Sequence, residues 1–254
     1  MERRTLVHLH RQGHRCIPFC YTLDLEQDKE EPVCIEYIDS SAEEMAPDEL
    51  ERAAEIIAAV HAANLKNPTI QKWLPLADGT FIESGYVLGT FRTSWTRALE
   101  DTDFKKEYGF ITAELETAAG QFKKDVEGLW QDGKTLTLIH ADLHDGNIVF
   151  RSGEFYIIDW GQARYGSFYL DLPNLFSHID ARSYYNALLQ HGININEKEF
   201  FMCYRKMGRY VGFKYLGFVL SHWASRNEQD SWVYGALENL IDKALHGAKI
   251  PDTE

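Results

Sequence analysis

The first forty residues contain one helical segment and two short apolar runs. Residues 2–12 predict a short helix, and Gly13 directly after them is a residue type that commonly ends one. Apolar runs at 16–23 and 32–38 are separated by the charged segment 26–31. Two strand-like runs around a charged turn are typical of a β-hairpin. The pattern therefore predicts a short helix followed by a hairpin.

Helical spacing dominates the chain between residues 47 and 130. Apolar residues recur at helical intervals over 50–61, after a proline that suits a first helical turn. The stretch 65–89 contains several prolines and glycines and is expected to be mostly loop. Gly120 marks the place where a later helix could be interrupted. Two helices are expected after this loop, over 91–99 and 103–130, and Gly120 lies in the second of them.

A small group of β-rich segments then interrupts the helices. Three strands are expected, at 135–139, 148–150 and 155–158. The short turn 151–154 joins the last two, which indicates a second hairpin. From residue 168 the chain returns to helical patterns, and four helices are expected at 168–178, 181–191, 196–222 and 229–246.

The composition is that of a globular protein, and its charge disfavours some classes of binding partner. The chain has 254 residues, 44% of them hydrophobic. No apolar run approaches the ~18 residues that a membrane-spanning helix needs, and the N-terminus lacks the apolar core of a signal peptide. The 26 basic against 39 acidic residues give a net charge of −13, which disfavours nucleic acid and anionic membranes as partners. This acidity is compatible with a cationic substrate, or with surface solubility alone.

The cysteines indicate the compartment. Cys16, Cys20, Cys34 and Cys203 include no Cys-x-x-Cys pair, and three of them lie in strand-like apolar segments. We therefore expect buried, reduced thiols and a cytoplasmic location, and no disulfide framework.

Polar residues that carry chemistry are concentrated in one segment beside two short strands. An Asp, an Asn five residues later and an Asp twelve residues after that form a phosphoryl-transfer pattern. One carboxylate accepts the proton of an attacking hydroxyl, while the amide oxygen and the second carboxylate hold Mg²⁺ on the nucleotide phosphates. Strand ends and tight loops hold such groups with little play. The three residues are Asp142, Asn147 and Asp159.

This segment resembles the loops of the aminoglycoside phosphotransferase/choline kinase family. Residues 140–147, HADLHDGN, match that family's H-G-D-L-H-x-x-N catalytic loop, with Ala141 where glycine is usual. Residues 157–160, IIDW, match its I-D-W/F segment, and residues 169–172, YLDL, match its downstream aromatic-x-Asp-Leu element.

The resemblance implies an α+β, protein-kinase-like fold. Residues 39–254 would form a largely helical large lobe with a small β insert, which carries the catalytic and substrate groups. Residues 1–38 would be a remnant of the small β lobe, made of a helix, a hairpin and the hinge between the lobes.

The resemblance also implies a role for each residue of the motif. Asp142 would be the catalytic base, or would orient the substrate hydroxyl, and Asn147 and Asp159 would be the Mg²⁺ ligands. His140 would brace the loop. His144 would either hydrogen-bond within the loop or approach the phosphate, and the motif does not choose between these.

Further positions follow from the family's nucleotide site. Backbone groups of Glu36 and Ile38, in the hinge strand, would meet the adenine of ATP, and Val149 and Ile158 would form an apolar floor beneath it. Asp171 would anchor the catalytic loop through backbone hydrogen bonds.

The first lobe departs from the family pattern. No glycine-rich loop and no phosphate-binding lysine precede the first helix; Lys29 lies in the hairpin turn, and Glu2 is a weak candidate for the glutamate that pairs with that lysine. Three explanations stay open: a truncated chain, a naturally shortened and impaired member, or a site that a partner chain closes.

The function expected is an ATP-dependent transfer of the γ-phosphoryl group to a hydroxyl of a small molecule that is aminoglycoside-, choline- or homoserine-like. Alternatives are a non-catalytic, kinase-like nucleotide-binding protein or a fragment. A metallohydrolase built on His140, Asp142 and His144 would leave Asn147 and Asp159 unexplained. His61, on an apolar helix face, is expected to be a packed core histidine, and the aromatic residues of the last helices are expected to be core.

Overall fold

The structure, a computed structural model, groups into two compact units. It describes residues 1–21, 33–38, 47–151, 154–176, 178–223 and 231–249. One unit comprises Met1–Leu76 and Thr135–Ile195, and the other comprises Ala77–Lys134 and Asn196–Glu254. The lobe division at residues 38 and 39 stays a prediction. None of the helices in the described ranges is both long and apolar enough to span a membrane.

The first unit opens with helix α1 (Glu2–Arg11), which confirms the first predicted element. Its buried face includes Leu6 and Leu9, both at most 1% exposed. The chain leaves the helix through Gly13, whose φ of +85° is a left-handed conformation that glycine adopts without steric cost.

A short antiparallel pairing follows, at the place of the predicted hairpin. Cys20 pairs with Ile35 in a β-bridge, and Tyr21 N–H donates to the Cys34 carbonyl at 2.9 Å. The predicted turn at 26–31 lies outside the described residues. Cys34 is exposed, which corrects the expectation that this thiol is buried; Cys16 and Cys20 are buried.

Two helices form the apolar support of the first unit. Helix α2 (Pro47–Ala63) packs against helix α9 (His178–Gln190). Two single-turn helices complete the helical part of this unit in the described ranges: α3 (Pro68–Gln71) and α8 (Leu172–Leu175).

The expected single helix at 168–178 is wrong. The chain instead forms a 3-10 turn at Phe168–Leu170, breaks at Asp171, and then forms α8. Pro173 lies inside the predicted span, and it has no backbone N–H, so it suits the first turn of α8 but not the interior of a longer helix. The Asp171 carboxylate between the two elements accepts hydrogen bonds from another segment of the chain.

The strands form two small sheets. One sheet has the order β1–β5–β2, in which β2 runs antiparallel to β5 and Ile139 pairs with Arg164. The other is a hairpin of β3 and β4, in which Ile148 pairs with Ile157. The hairpin and β2 were predicted, whereas β1 and β5 were not. The five strands are β1 (Leu76–Ala77), β2 (Leu136–Ile139), β3 (Ile148–Arg151), β4 (Glu154–Ile157) and β5 (Arg164–Ser167).

The second unit is helical in all its described elements. Its core includes tightly packed aromatic rings, such as Phe91 and Phe213 with centroids 5.0 Å apart and Trp95 and Phe104 at 5.3 Å. This agrees with the expectation that aromatic residues of the last helices pack in a core. The helices are α4 (Gly79–Glu83), α5 (Leu88–Ala98), α6 (Thr102–Tyr108), α7 (Thr112–Asp132), α10 (Glu197–Trp223) and α11 (Ser231–His246).

Glycines in this unit serve different purposes. Helix α7 runs without interruption through Gly120, and the break in the predicted long helix instead lies at a 3-10 turn, Gly109–Ile111. In α10, a Cβ on Gly212 would collide with the backbone of α11 at Ala244, and a Cβ on Gly208 would collide with the backbone just after α11, at Ala248. These two glycines therefore allow α10 and α11 to pack closely.

We expect Gly212→Ala and Gly120→Ala to change stability in opposite directions. The first forces a methyl group into a neighbouring backbone and should lower the free energy of unfolding by about 1–3 kcal/mol. The second meets nothing within 4 Å and should raise that free energy by up to about 1 kcal/mol, because alanine favours the helix. Urea unfolding of both variants measures the difference. Equal effects would contradict the close packing of α10 on α11.

Candidate active site

The catalytic-loop sequence begins directly after β2, and its first residue is tightly fixed. His140 is 1% exposed, and its ring packs against Trp160 with centroids 4.8 Å apart. Its Nε2 lies 2.8 Å from the Ile158 carbonyl, and its Nδ1 accepts the Asp142 backbone N–H at 3.3 Å. A carbonyl can only accept and a backbone N–H can only donate, so the proton is on Nε2. His140 is therefore a neutral brace between two loops, as the resemblance implied.

Electrostatics favour the neutral form of the ring. Burial lowers the pKa of His140, and the neighbouring Asp171 carboxylate opposes the shift only in part. Both ring nitrogens are also committed to backbone partners. His140 consequently has no lone pair to offer to a metal ion or a proton to exchange with a substrate.

Asp142 and Asn147 are joined through the backbone of the loop. The Asn147 side-chain N–H donates to the Asp142 carbonyl at 2.9 Å, and the Asn147 backbone N–H donates to the His144 carbonyl at 2.9 Å. Asn147 is 7% exposed, whereas the Asp142 side chain is half-buried. The amide nitrogen of Asn147 is thus used to close the loop, and no hydrogen bond from the described residues engages its Oδ1.

Asp159 stands at the end of the second strand of the hairpin, beside Asn147. The intervening Ile158 N–H donates to the Asn147 carbonyl at 3.0 Å, which joins the two segments. Asp159 is exposed and has a left-handed backbone, with φ of +58°. Asp and Asn tolerate that conformation better than most residues do. Asp159, one of the two predicted metal ligands, is thus a residue type that suits this backbone conformation.

Helix α1 brings an acidic residue to the same place. Burial and then the nearby Asp159 carboxylate raise the pKa of Glu2, and a hydrogen bond from the Trp160 N–H opposes the rise. The like charge of Asp159 thus disfavours the ionised form of Glu2, although burial is the larger cause. The resemblance had offered Glu2 only as the partner of a lysine; its observed neighbours are Asp159 and Trp160.

The donors fit Mg²⁺ better than zinc. Mg²⁺ requires oxygen ligands, and Asn147 Oδ1 and the Asp159 carboxylate are oxygen donors on adjoining segments. Among the described residues, no three His, Cys, Asp or Glu side chains are grouped so that they could hold a metal. Since His140 has no available nitrogen, the alternative metal triplet of His140, Asp142 and His144 is disfavoured.

His144 remains at the surface of the loop. Its side chain is 33% exposed, and its Nδ1 lies 3.7 Å from the Asp145 carboxylate. A Cβ on Gly146 would approach the His144 ring to 2.9 Å, so glycine leaves room for the ring there. The choice between a contact within the loop and a contact with phosphate stays a prediction.

Asp171 holds the start of the loop. Its Oδ2 accepts the His140 N–H and its Oδ1 accepts the Ala141 N–H, both at 2.7 Å. Ala141 has a φ of +63°, which is strained for a residue with a Cβ. The anchoring by backbone hydrogen bonds that the resemblance implied for Asp171 is therefore present in the structure.

The two residues expected to meet adenine through their backbone, Glu36 and Ile38, differ in their surroundings. Glu36 N–H is already bonded to the Phe19 carbonyl at 2.7 Å, so Glu36 could offer a nucleotide only its carbonyl. Its side chain forms an ion pair with Arg151 at 2.8 Å. That contact is the main reason why the pKa of Glu36 is lowered. Ile38 is half-buried at the end of its segment. Their role in nucleotide binding stays a prediction.

The expected apolar floor lies on one face of the hairpin. The register pairs Val149 with Tyr156, and Ile158 follows two residues after Tyr156, so all three side chains are on the same face. Val149 and Ile158 are half-exposed, while Tyr156 is buried. This face could therefore accept a flat ring.

Three contacts were missed by sequence reasoning. His61 is buried, as expected, but its Nε2 lies 3.2 Å from Asp171 Oδ2 and its Nδ1 lies 2.7 Å from the Tyr184 hydroxyl. Asn174 donates from its side chain to the Leu143 carbonyl at 2.9 Å. A polar residue on an apolar helix face was the only signal available for His61.

Comparison with known proteins identifies the family. The family model described as "phosphotransferase enzyme family" matches residues 1–197, which is more than half of the chain. The chain belongs to the phosphotransferase enzyme family. No curated protein sequence matches it significantly.

Solved structures of similar fold include small-molecule kinases. Spectinomycin phosphotransferase APH(9)-Ia, in complex with ADP and spectinomycin, is 16% identical with a TM-score of 0.63, over 94% of this chain and 78% of that one. Choline kinase from Cryptosporidium parvum is 13% identical with a TM-score of 0.58, over 95% and 76%. Ethanolamine kinase from Plasmodium vivax is 13% identical with a TM-score of 0.56, over 94% and 71%. This phosphotransferase thus has the protein-kinase-like α+β fold.

We expect His140 to make the stability of this phosphotransferase depend on pH. Its pKa lies below the ordinary value of 6.5 in the folded state, so below pH 6.5 the unfolded chain binds a proton that the folded chain does not. The free energy of unfolding should therefore fall as the pH drops below 6.5, by up to about 1.4 kcal/mol per pH unit from this group. Urea unfolding at pH 7.5 and pH 5.5 should show a smaller fall in His140→Gln. His191→Gln, at an exposed position, is the control. An unchanged pH dependence in His140→Gln would refute the assignment.

Proposed function

We propose that this chain transfers the γ-phosphoryl group of ATP to a hydroxyl of a small molecule. The observation that carries the proposal is the hydrogen bond between the Asn147 amide and the Asp142 carbonyl, at 2.9 Å. It closes a loop in which a half-buried carboxylate precedes an oriented amide oxygen by five residues. Asp159 adjoins this pair through the hydrogen bond from Ile158 to Asn147. The proposed base and the oxygen atoms proposed to bind the cation are thus held by one set of backbone hydrogen bonds.

In the proposed reaction, the Asp142 carboxylate orients the acceptor hydroxyl and receives its proton. The hydroxyl oxygen forms the new bond to the γ-phosphorus while the bond from that phosphorus to the bridging oxygen of ADP breaks, and ADP leaves with the electron pair. Little covalent work falls to the protein, so catalysis depends on how accurately the loop holds Asp142.

Asn147 and Asp159 would hold Mg²⁺. When bound there, the cation neutralises charge on the phosphates. Glu2 lies close enough to Asp159 for the two carboxylates to interact, and a cation bound there would offset that repulsion. Glu36, Ile38, Val149 and Ile158 are proposed to contact the adenine.

The acceptor is proposed to be a cationic amino alcohol or aminocyclitol. The net charge of −13 favours a cation, and structures of the same fold carry the names of spectinomycin, choline and ethanolamine kinases. We place the protein in the cytoplasm, where ATP is available; the four cysteines, none of them in a disulfide, support a reducing compartment.

We expect Asp142→Ala to lower kcat by about 10²-fold or more, because the hydroxyl loses its proton acceptor. The matched control is Asp145→Ala, which removes an 89%-exposed carboxylate from the same loop and should keep most of the activity. The measurement is ADP release from Mg-ATP with spectinomycin, choline, ethanolamine and homoserine tested in turn.

Two outcomes would contradict the proposal. Equal turnover in Asp142→Ala and the wild type would remove Asp142 from the reaction. Binding of Mg-ATP by calorimetry, with no turnover on any acceptor or on water, would favour the non-catalytic nucleotide-binding alternative.

A further inference from the structure

A chain of hydrogen bonds extends from the catalytic loop into the core of the first unit. Asp171 accepts the backbone N–H groups of His140 and Ala141 on its two oxygens and also contacts His61 Nε2 at 3.2 Å. His61 Nδ1 lies 2.7 Å from the Tyr184 hydroxyl. The series Tyr184–His61–Asp171 thus joins helices α9 and α2 to the first residues of the loop.

The hydrogen bond between His61 and Asp171 has only one possible direction. A carboxylate only accepts, so the proton on the Asp171 side of the ring is on Nε2 of His61. Burial and the Asp171 charge raise the pKa of Tyr184 well above its ordinary value, so its hydroxyl keeps its proton. The hydroxyl can then donate to Nδ1. Each member of the series fixes the orientation of the next.

The surroundings make the series rigid. His61 and Asp171 are each 2% exposed, and Tyr184 is 0% exposed. The Phe168 ring stacks on His61 with centroids 6.1 Å apart, and the Thr137 hydroxyl donates to the His61 carbonyl at 2.7 Å. Hydrogen bonds in such a site are stronger than in water, and a polar group left without its partner there is costly.

We propose that His61 and Tyr184 are positioning residues for phosphoryl transfer, acting through Asp171 on the loop that carries Asp142. The inference rests on the proposed function for its kinetic consequence only. Because the Asp171 oxygens hold the N–H groups of the two residues that precede Asp142, rotation of this carboxylate would shift the base itself. His61 prevents that rotation, and Tyr184 fixes the His61 ring.

Strain in the loop explains why such support is needed. Ala141 is held at φ +63°, a left-handed conformation that is unfavourable for a residue with a Cβ. Its N–H is one of the two that Asp171 accepts. If the carboxylate were less firmly held, Ala141 could relax toward an ordinary conformation, and the adjoining Asp142 would move with it.

The test compares two tyrosines on one helix. Tyr184→Phe removes the hydroxyl that contacts His61, and Tyr185→Phe removes a neighbouring hydroxyl that donates to the Ile195 carbonyl at 3.0 Å. His61→Ala and His61→Gln complete the set, since glutamine can still donate an N–H to Asp171. Hydrogen exchange at the His140 and Ala141 amides reports on the loop, and urea unfolding reports on global stability.

The expected result separates positioning from stability. Tyr184→Phe should raise exchange at His140 and Ala141 about 10-fold beyond any change in global stability, and lower kcat for ADP release from Mg-ATP by about 10-fold with KM within about twofold. His61→Ala should have larger effects, and His61→Gln should restore most of the protection. Tyr185→Phe should change global stability alone.

The proposal is overturned if Tyr184→Phe and Tyr185→Phe behave alike in exchange and in kcat, or if His61→Gln is no better than His61→Ala. If His61→Ala does not fold, Tyr184→Phe decides the question. If the wild type transfers no phosphoryl group, the proposed function fails, and the exchange measurement still decides whether the series holds the loop.

Discussion

The buried carboxylate of Asp171 is the interaction on which the rest of the candidate site depends. An ionised carboxylate away from water costs several kcal/mol unless donors surround it, and here two of the donors are backbone N–H groups of the catalytic loop. The charge can be buried only when the loop has this conformation. Folding of the first unit and the geometry of the loop are therefore coupled, and His140 extends that coupling to Ile158 and the segment that carries Asp159.

Local patterns predicted most of the regular structure. The first helix, the hairpin of β3 and β4 and the long helix α10 follow from apolar spacing, because the backbone hydrogen bonds of a helix or a tight hairpin join residues that are close in the sequence. Strand β5 could not be predicted, since its sequence RYGS has no strand pattern and its pairing with β2 comes from residues far away in the chain. The wrong helix at 168–178 has a local origin, because Pro173 lies inside that span and begins a new helix.

The candidate site, too, could be predicted from the sequence only in part. The spacing of Asp142, Asn147 and Asp159 was enough to predict phosphoryl transfer, because all three lie in one segment of the chain. The contact of His61 with Asp171 joins residues 110 positions apart, and no spacing rule reveals such a pair. Likewise, the exposure of Cys34 depends on which face of its strand is covered, and a short apolar run does not specify that face.

The left-handed backbone at Ala141 and Asp159 also limits which residues can replace them. Structures of the same fold share only 13–16% of their residues with this chain, so the fold accommodates very different sequences. Positions 141 and 159 have a narrower repertoire, since β-branched and bulky side chains cannot adopt their φ of +63° and +58° without a steric penalty. Substitution there is restricted by backbone shape as well as by chemistry. Replacements at these two positions should therefore favour glycine, asparagine and aspartate, whatever acceptor a descendant comes to use.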